Sequence, residues 1–206
     1  MSFQNKVVWI TGASSGIGKA LAIELSYQNA LLVISARNKN SLEIVKESCK
    51  NSKNVFIIPL DLEQNSTFHY ITQQVINVFG RIDILVNNGG ISQRSLASET
   101  QISVDKKIMD VNYTGTVALT KAVLPHFLEN QKGHFVVTTS MVGLIGTPLR
   151  SSYAASKHAL HGFFDSLRAE VYDDNIAVTL ICPGFVSTNI SMNALTGDGT
   201  SQQKMD

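Results

Sequence analysis

The sequence predicts an α/β fold in which helices cover both faces of a doubly wound parallel sheet. Two observations predict it. Short runs that are apolar throughout alternate with longer amphipathic stretches, the pattern of strands buried on both faces with helices laid over them. A glycine-rich turn, Thr11-Gly-Ala-Ser-Ser-Gly-Ile-Gly18, follows the first such run and opens the first amphipathic stretch, where a doubly wound sheet places an anion site.

Taken in order, Lys6–Ile10 reads as a buried strand and Gly16–Gln28 as a helix with Ile17, Ala20, Leu21 and Leu25 on its inner face. Leu31–Ser35 is the second strand and Ser41–Cys49 the second helix, with Ser41 as N-cap. Val55–Pro59 is the third strand, and Asn65–Phe79 a helix stopped by Gly80. Ile82–Val86 is the fourth strand, and Ser103–His126 one long helix with Pro125 near its end. Gly133–Thr139 is the fifth strand. Ser152–Tyr172 is a second long helix with Leu160, Phe163, Phe164, Leu167 and Val171 at apolar positions, and Ala177–Cys182 is the sixth strand. The layout is a Rossmann-type three-layer sandwich. Residues 1–192 form one domain, and the polar segment 193–206 is expected to be mobile.

The chain has 206 residues, 44% hydrophobic and 16% charged, enough for one well-packed core. Lys plus Arg number 17 and Asp plus Glu 16, a net charge of +1. That balance argues against a nucleic-acid binder, which needs a basic face, but leaves room for one basic pocket. Apolar runs such as Leu31–Ile34 are far short of a membrane span, and Met1–Lys6 is mostly polar, so no leader or membrane anchor is expected. Cys49 and Cys182 cannot build a disulfide framework, which suits a reducing cytoplasm. His69, His126, His134, His158 and His161 lack metal-ligand spacing, so no metal is expected.

In the glycine turn, Gly12 permits the tight bend, Gly16 lets the backbone approach a pyrophosphate, and Gly18 lets the helix lie close on the sheet. Ser14, Ser15 and Ile17 complete the loop. The second strand ends Ile34-Ser-Ala-Arg-Asn38, with no carboxylate to read a ribose 2′-hydroxyl. Arg37 stands there instead and suits a 2′-phosphate, with Ser14 as a further donor, so NADP(H) is expected ahead of NAD(H). Asp61, followed by Leu62, can accept from an adenine amino group or cap the turn. Asn87-Asn88-Gly89-Gly90 can pass close under a cofactor, its asparagines fixing the loop to neighbouring strands, or form a purely structural turn.

At the other end, Ser140 follows the fifth strand, Tyr153 comes thirteen positions later, and Lys157 is at Tyr plus four. Positions i and i+4 share a helix face, so both point into one cleft. A phenol titrates near about 10, and working near neutrality asks for about 4 kcal/mol of preferential phenolate stabilisation, which a neighbouring ammonium can supply. Ser140 would hold a substrate oxygen. Asn112 is a polar residue in a packed helix and can hold a water linking Lys157 to solvent. Met141, Val142, Arg150 and the loop Ile91–Arg94 are within reach of a substrate.

From Lys6 to about Met192 the chain resembles the classical short-chain dehydrogenases/reductases. The matching motifs are the Thr11–Gly18 turn, Asp61, Asn87-Asn-Gly-Gly90, Asn112, Ser140, Tyr153-Ala-Ala-Ser-Lys157 and Pro183-Gly184. Within that family it looks most like the dehydrogenase/reductase member 7 group. The resemblance implies NADP-dependent interconversion of a carbonyl and an alcohol, a small-molecule substrate. It implies Tyr153 as acid, Ser140 orienting the carbonyl, Lys157 lowering the phenol pKa and binding ribose, and Asn112 supporting a proton relay. It also implies Pro183, Gly184, Val186 and Thr188 at the carboxamide and diphosphate, and a homodimer through the two long helices with Phe163 or Phe164 contributing. Family members usually continue past this point, so a C-terminal truncation, with the last strand and helix absent, is expected, leaving the sixth strand as an open edge. That ending motivates an alternative, a cofactor-binding protein with little catalysis. A nucleotide-sugar epimerase fits the glycine spacing and length less well.

Overall fold

The computed structural model describes residues 2–203. Its elements are β1 (Val7–Thr11), α1 (Gly16–Tyr27), β2 (Leu31–Ser35), α2 (Lys39–Ser48), β3 (Val55–Ile57), α3 (Phe68–Phe79), β4 (Ile84–Asn87), α4 (Ile102–Met109), α5 (Thr116–Glu129), β5 (Gly133–Thr138), α6 (Ser151–Glu170) and β6 (Ile176–Ile181). All six strands pair in parallel, in the order β3-β2-β1-β4-β5-β6. The chain winds outward from β1 on one side and from β4 on the other. The switch point, where the carboxyl ends of β1 and β4 diverge, is the place such sheets offer a ligand.

β1, β2 and β4 are buried on both faces, as their continuous apolar runs predict, whereas β5 alternates buried with half-buried positions and β6 exposes one face. Trp9 joins Phe127, Phe135 and Phe164 in one core layer, while its neighbours Val8 and Ile10 join Leu32, Ile34 and Leu42 in the other. Each of those aromatic side chains is fully buried, worth about 2–3 kcal/mol apiece as area removed from water. Trp9 keeps its one polar atom satisfied by donating Nε1–H to Ser35 Oγ at 2.8 Å.

Several expectations need correction. On the inner face of α1, Leu25 is buried and Leu21 packs against the core as expected, joined by Gly18, Ala22 and Ser26, while Ala20 is exposed. Small residues face the sheet there because helix and strand backbones pack closely. The N-cap of α2 is Asn38, whose Oδ1 accepts the Ser41 N–H, so Ser41 lies inside the helix. β3 stops at Ile57, two residues before Pro59, which has no N–H for a ladder. β4 starts at Ile84 because Asp83 turns inward, its Oδ2 accepting the Val7 N–H. The expected single helix over Ser103–His126 is three pieces: α4, a π-helical turn at Asp110–Gly115, and α5, which carries Pro125 inside it. Phe164 is fully buried in the core, which leaves only the partly buried Phe163 for any outward contact.

The polar segment after Met192 is more anchored than its composition suggests. Leu195 pairs with the loop after β4, donating N–H to Ser92 O and accepting from Arg94 N, and Gly197 O accepts from Gln101 N. Ala194 is fully buried. The rest of the expected mobile segment, 204–206, lies outside the described residues. β6 has one paired neighbour, β5, and its Ile181 is 45% exposed.

Candidate active site

A cleft of about 610 Å³ runs along the carboxyl ends of the strands, a size ordinary for a small-molecule or cofactor site. At one end is the glycine turn. Gly12 has φ +64° and a Cβ built on it would lie 2.7 Å from Gly89 Cα, so β1 and the loop after β4 meet there backbone to backbone. Asn88 ties that junction by donating Nδ2–H to the carbonyls of Thr11 and Gly12. Thr11 Oγ1 accepts from the N–H of both Asn88 and Gly89 and donates to Val86 O. Ser15, the N-cap of α1, makes no side-chain cap, and the first turn carries no acidic residue. Its early N–H groups therefore face the cleft with the helix dipole behind them, an arrangement made for an anion.

Ser14, Ser15, Gly16 and Ile17 line this end, with Arg37 exposed beside them at the end of β2. Leu62, Asn88, Gly89 and Gly90 line the floor. Asp61 also lines the cleft, and one of its oxygens, Oδ1, caps the turn by accepting Glu63 N–H. Gly18 is not on the wall; it packs beneath, against Gly12 O and Asn88 Nδ2.

At the other end stand Ser140, Tyr153 and Lys157, with Pro183, Gly184, Val186 and Thr188 closing the side. Ser140 is extended and begins a short 3₁₀ turn; its Oγ accepts Val142 N–H, and its hydroxyl lies within hydrogen-bond reach of the Tyr153 side chain. Met141 N–H donates to Pro183 O, which ties the loop after β5 to the loop after β6. Lys157 is buried and donates from Nζ to Thr138 O at 2.9 Å. Its Nζ is 5.7 Å from the centre of the Tyr153 ring.

The electrostatics differ from the sequence expectation. Burial pushes the Tyr153 phenol up from its usual value, opposed by the Ser140 hydroxyl and the Arg150 charge. Burial also lowers Lys157 to about 8. Desolvation dominates both groups, so the phenol stays protonated beside an ammonium that remains protonated at neutral pH. The Lys157 shift has a stability consequence. Below pH of about 8 the folded state bears the cost of burying the charge; between about 8 and 10.5 it sheds the proton before the unfolded chain does. Unfolding free energy should therefore rise with pH across that window, by up to about 1.4 kcal/mol per unit. Cys49 and Tyr153, raised from 9.0 and 10.0, act in the opposite sense from those values upward, within the upper part of the same window. Denaturant titrations of the parent minus Lys157→Met isolate the lysine; a difference that stays flat across the window would contradict it.

Asn112 sits in the π-turn between α4 and α5. It is fully buried and off the cleft wall. Its Oδ1 accepts Ile91 N–H, and its Nδ2 donates to Ile91 O and Ser156 Oγ. The side chain thus clamps the loop after β4 to α6, with every N–H engaged. The π-turn that presents it is the kind of insertion often found at functional sites. Sequence reasoning missed Thr11, Thr138 and Ser156, which hold the named residues in place; only the fold brings them together. It also missed Leu195 and Ser201, which line the cleft from the tail.

Residues 6–198 match the family model described as short chain dehydrogenase. Human dehydrogenase/reductase SDR family member 7 is 49% identical over 200 residues, covering 94% of this chain and 59% of that protein. A dehydrogenase/reductase SDR family protein 7-like from Anopheles gambiae is 49% identical over 207 residues, covering 98% of this chain and 65% of that protein. The chain spans about three fifths of the length of these curated relatives. Among solved structures, levodione reductase superposes with a TM-score of 0.88 at 28% identity, covering 93% of this chain and 76% of the other. A short chain dehydrogenase/reductase from Burkholderia phymatum, in complex with NAD, gives 0.87 at 25% identity, covering 93% and 69%. The chain belongs to the short-chain dehydrogenase/reductase family, oxidoreductases that bind nicotinamide cofactors.

Proposed function

We propose that the protein interconverts a carbonyl and an alcohol with NADP(H), Tyr153 exchanging the proton. One observation carries the reading: Ser140, Tyr153 and Lys157 stand at one end of a single cleft whose other end is an anion-ready glycine turn. The residues fit such a group, since the Gly12–Gly89 contact leaves a backbone cradle that any side chain would fill. The nicotinamide, when bound, supplies or accepts the hydride. The chain's own groups do the rest. Gly12, Ser14, Ser15, Gly16 and Ile17 hold the diphosphate, with Gly18 keeping α1 close beneath. Asp61, Leu62, Asn88, Gly89 and Gly90 bound the adenosine side, and Pro183, Gly184, Val186 and Thr188 the nicotinamide side. Ser140 donates its O–H to the substrate oxygen, stabilising charge that develops there. Tyr153, protonated at neutral pH, serves as acid in reduction. Lys157 keeps a positive charge near the phenol, and Asn112 holds α6 and the loop in register.

NADP(H) preference rests on Arg37, the charged side chain at the end of β2 where a carboxylate would repel a 2′-phosphate. Arg37→Asp should weaken NADPH at least about tenfold and NADH much less. Fluorescence titration of both cofactors checks this; equal losses would refute the assignment.

The reading extends to self-association through the long helices, where Ile102 is exposed and Phe163 partly so. It also extends to a cytoplasmic setting, in keeping with two free cysteines. No helix among the described residues is long and apolar enough to cross a membrane. The direct test is turnover of NADPH or NADP with a panel of ketones, aldehydes and secondary alcohols. Tight cofactor binding with no turnover would favour a binding protein instead.

A further inference from the structure

Tyr153 has a second cation beside it. Arg150 lies one turn earlier on the rim of α6, as Lys157 lies one turn later, and its guanidinium carbon is 5.8 Å from the Tyr153 ring centre against 5.7 Å for Lys157 Nζ. Arg150 is fixed in place. It is the N-cap residue of α6, its carbonyl accepts Ala154 N–H, and its Nη1 donates to Ser92 Oγ at 2.8 Å. Ser92 is 1% exposed and lines the same cleft. The side chain therefore spans from the catalytic helix to the loop after β4 and passes the phenol on the way.

We propose that Arg150 is a positioning residue for proton transfer, a permanent cation that favours the Tyr153 phenolate. This rests on the proposed acid–base role of Tyr153. Its distinct contribution follows from the other charges around the phenol. On α6 these are Lys157 and, one turn further, His161, which lies against Gly143. On α4, Asp105 accepts from Ser152, and Lys107 lines the cleft; Arg94 belongs to the loop after β4. Lys157 loses its proton from about 8 upward, in the range where a phenolate becomes available. A guanidinium keeps its charge throughout, so Arg150 sustains the attraction when Lys157 no longer does.

The test is the pH profile of alcohol oxidation for the parent, Arg150→Gln, Arg150→Lys and Ser92→Ala. Arg150→Gln should move the limb assigned to Tyr153 upward by about one unit, with an approximately tenfold loss of rate below it. Arg150→Lys should restore the limb, and Ser92→Ala, which keeps the charge, should leave it near the parent value. A limb unmoved in Arg150→Gln, or moved equally in Arg150→Lys, would overturn the proposal. The ionisation is also read without turnover, by fluorine NMR of protein labelled with fluorotyrosine at its 5 tyrosines, the Tyr153 signal being the one missing in Tyr153→Phe. An upward shift of that signal's titration in Arg150→Gln supports the charge effect even in an inactive protein, and no shift refutes it. Absence of turnover in the parent would count against the proposed function and leave this readout intact.

Discussion

Tyr153→Phe is expected to lower turnover by about a thousandfold or more while leaving cofactor affinity within a few fold. The size follows from general acid–base catalysis, typically worth about a hundred- to ten-thousandfold, with an added penalty for losing an oriented hydrogen bond to the substrate oxygen. The specificity of the effect follows from the geometry. The phenol is buried in the cleft next to Ser140 and is no part of the glycine turn proposed to hold the anion. Removing its oxygen changes neither the turn nor the ring packing. Steady-state kinetics and NADPH titration on the same preparation separate the two quantities. A variant that loses affinity and turnover together would mean that the residue is structural.

Gly18→Ala is the second large effect, and it acts through backbone. A Cβ there would collide with Gly12 O and come within 2.6 Å of Asn88 Nδ2. The first is main chain, and the second is the amide that ties Thr11 and Gly12 to the loop after β4; neither can move without opening the cradle. We expect a loss of about 2–3 kcal/mol of stability and at least about a tenfold loss of NADPH affinity. Gly162→Ala is the matched control. It sits in α6 with no atom within 4 Å of its built Cβ, and should gain up to about 1 kcal/mol from the better helix propensity. Thermal melts of the two variants, with cofactor titrations, make the comparison. Equal melting shifts would contradict the close-approach role.

The sheet and the two ends of the cleft were legible in the sequence because each depends on a local signal. Continuous apolar runs mark strands buried on both faces, a glycine turn between strand and helix marks the anion site, and Tyr153 and Lys157 share a helix face by spacing alone. What stayed hidden depends on contacts between distant segments. A π-turn adds one residue to a helical ladder without disturbing the apolar periodicity much, so the break at Asp110–Gly115 left only one trace, the buried polar Asn112. The inner face of α1 was legible only in part because several residues that approach the sheet are small, and a scan for apolar bulk passes over Gly18 and Ala22. The anchoring of Leu195 on the loop after β4 comes from backbone hydrogen bonds, which polar composition does not reveal. The direction of the Tyr153 shift was likewise beyond sequence, since spacing brings a lysine near but says nothing of how dry the site is.

On the proposed function, one cleft joins a nicotinamide cofactor to proton transfer at Tyr153. That link is tested most directly by following deuterium from NADPH deuterated at the transferring position into the product alcohols of a carbonyl panel, with parent and Tyr153→Phe compared by mass spectrometry. The account predicts label at the carbinol carbon with the parent protein, cut about a thousandfold with the variant. Label transfer undiminished in Tyr153→Phe, or cofactor bound by the parent with no label passed to any carbonyl, would contradict it.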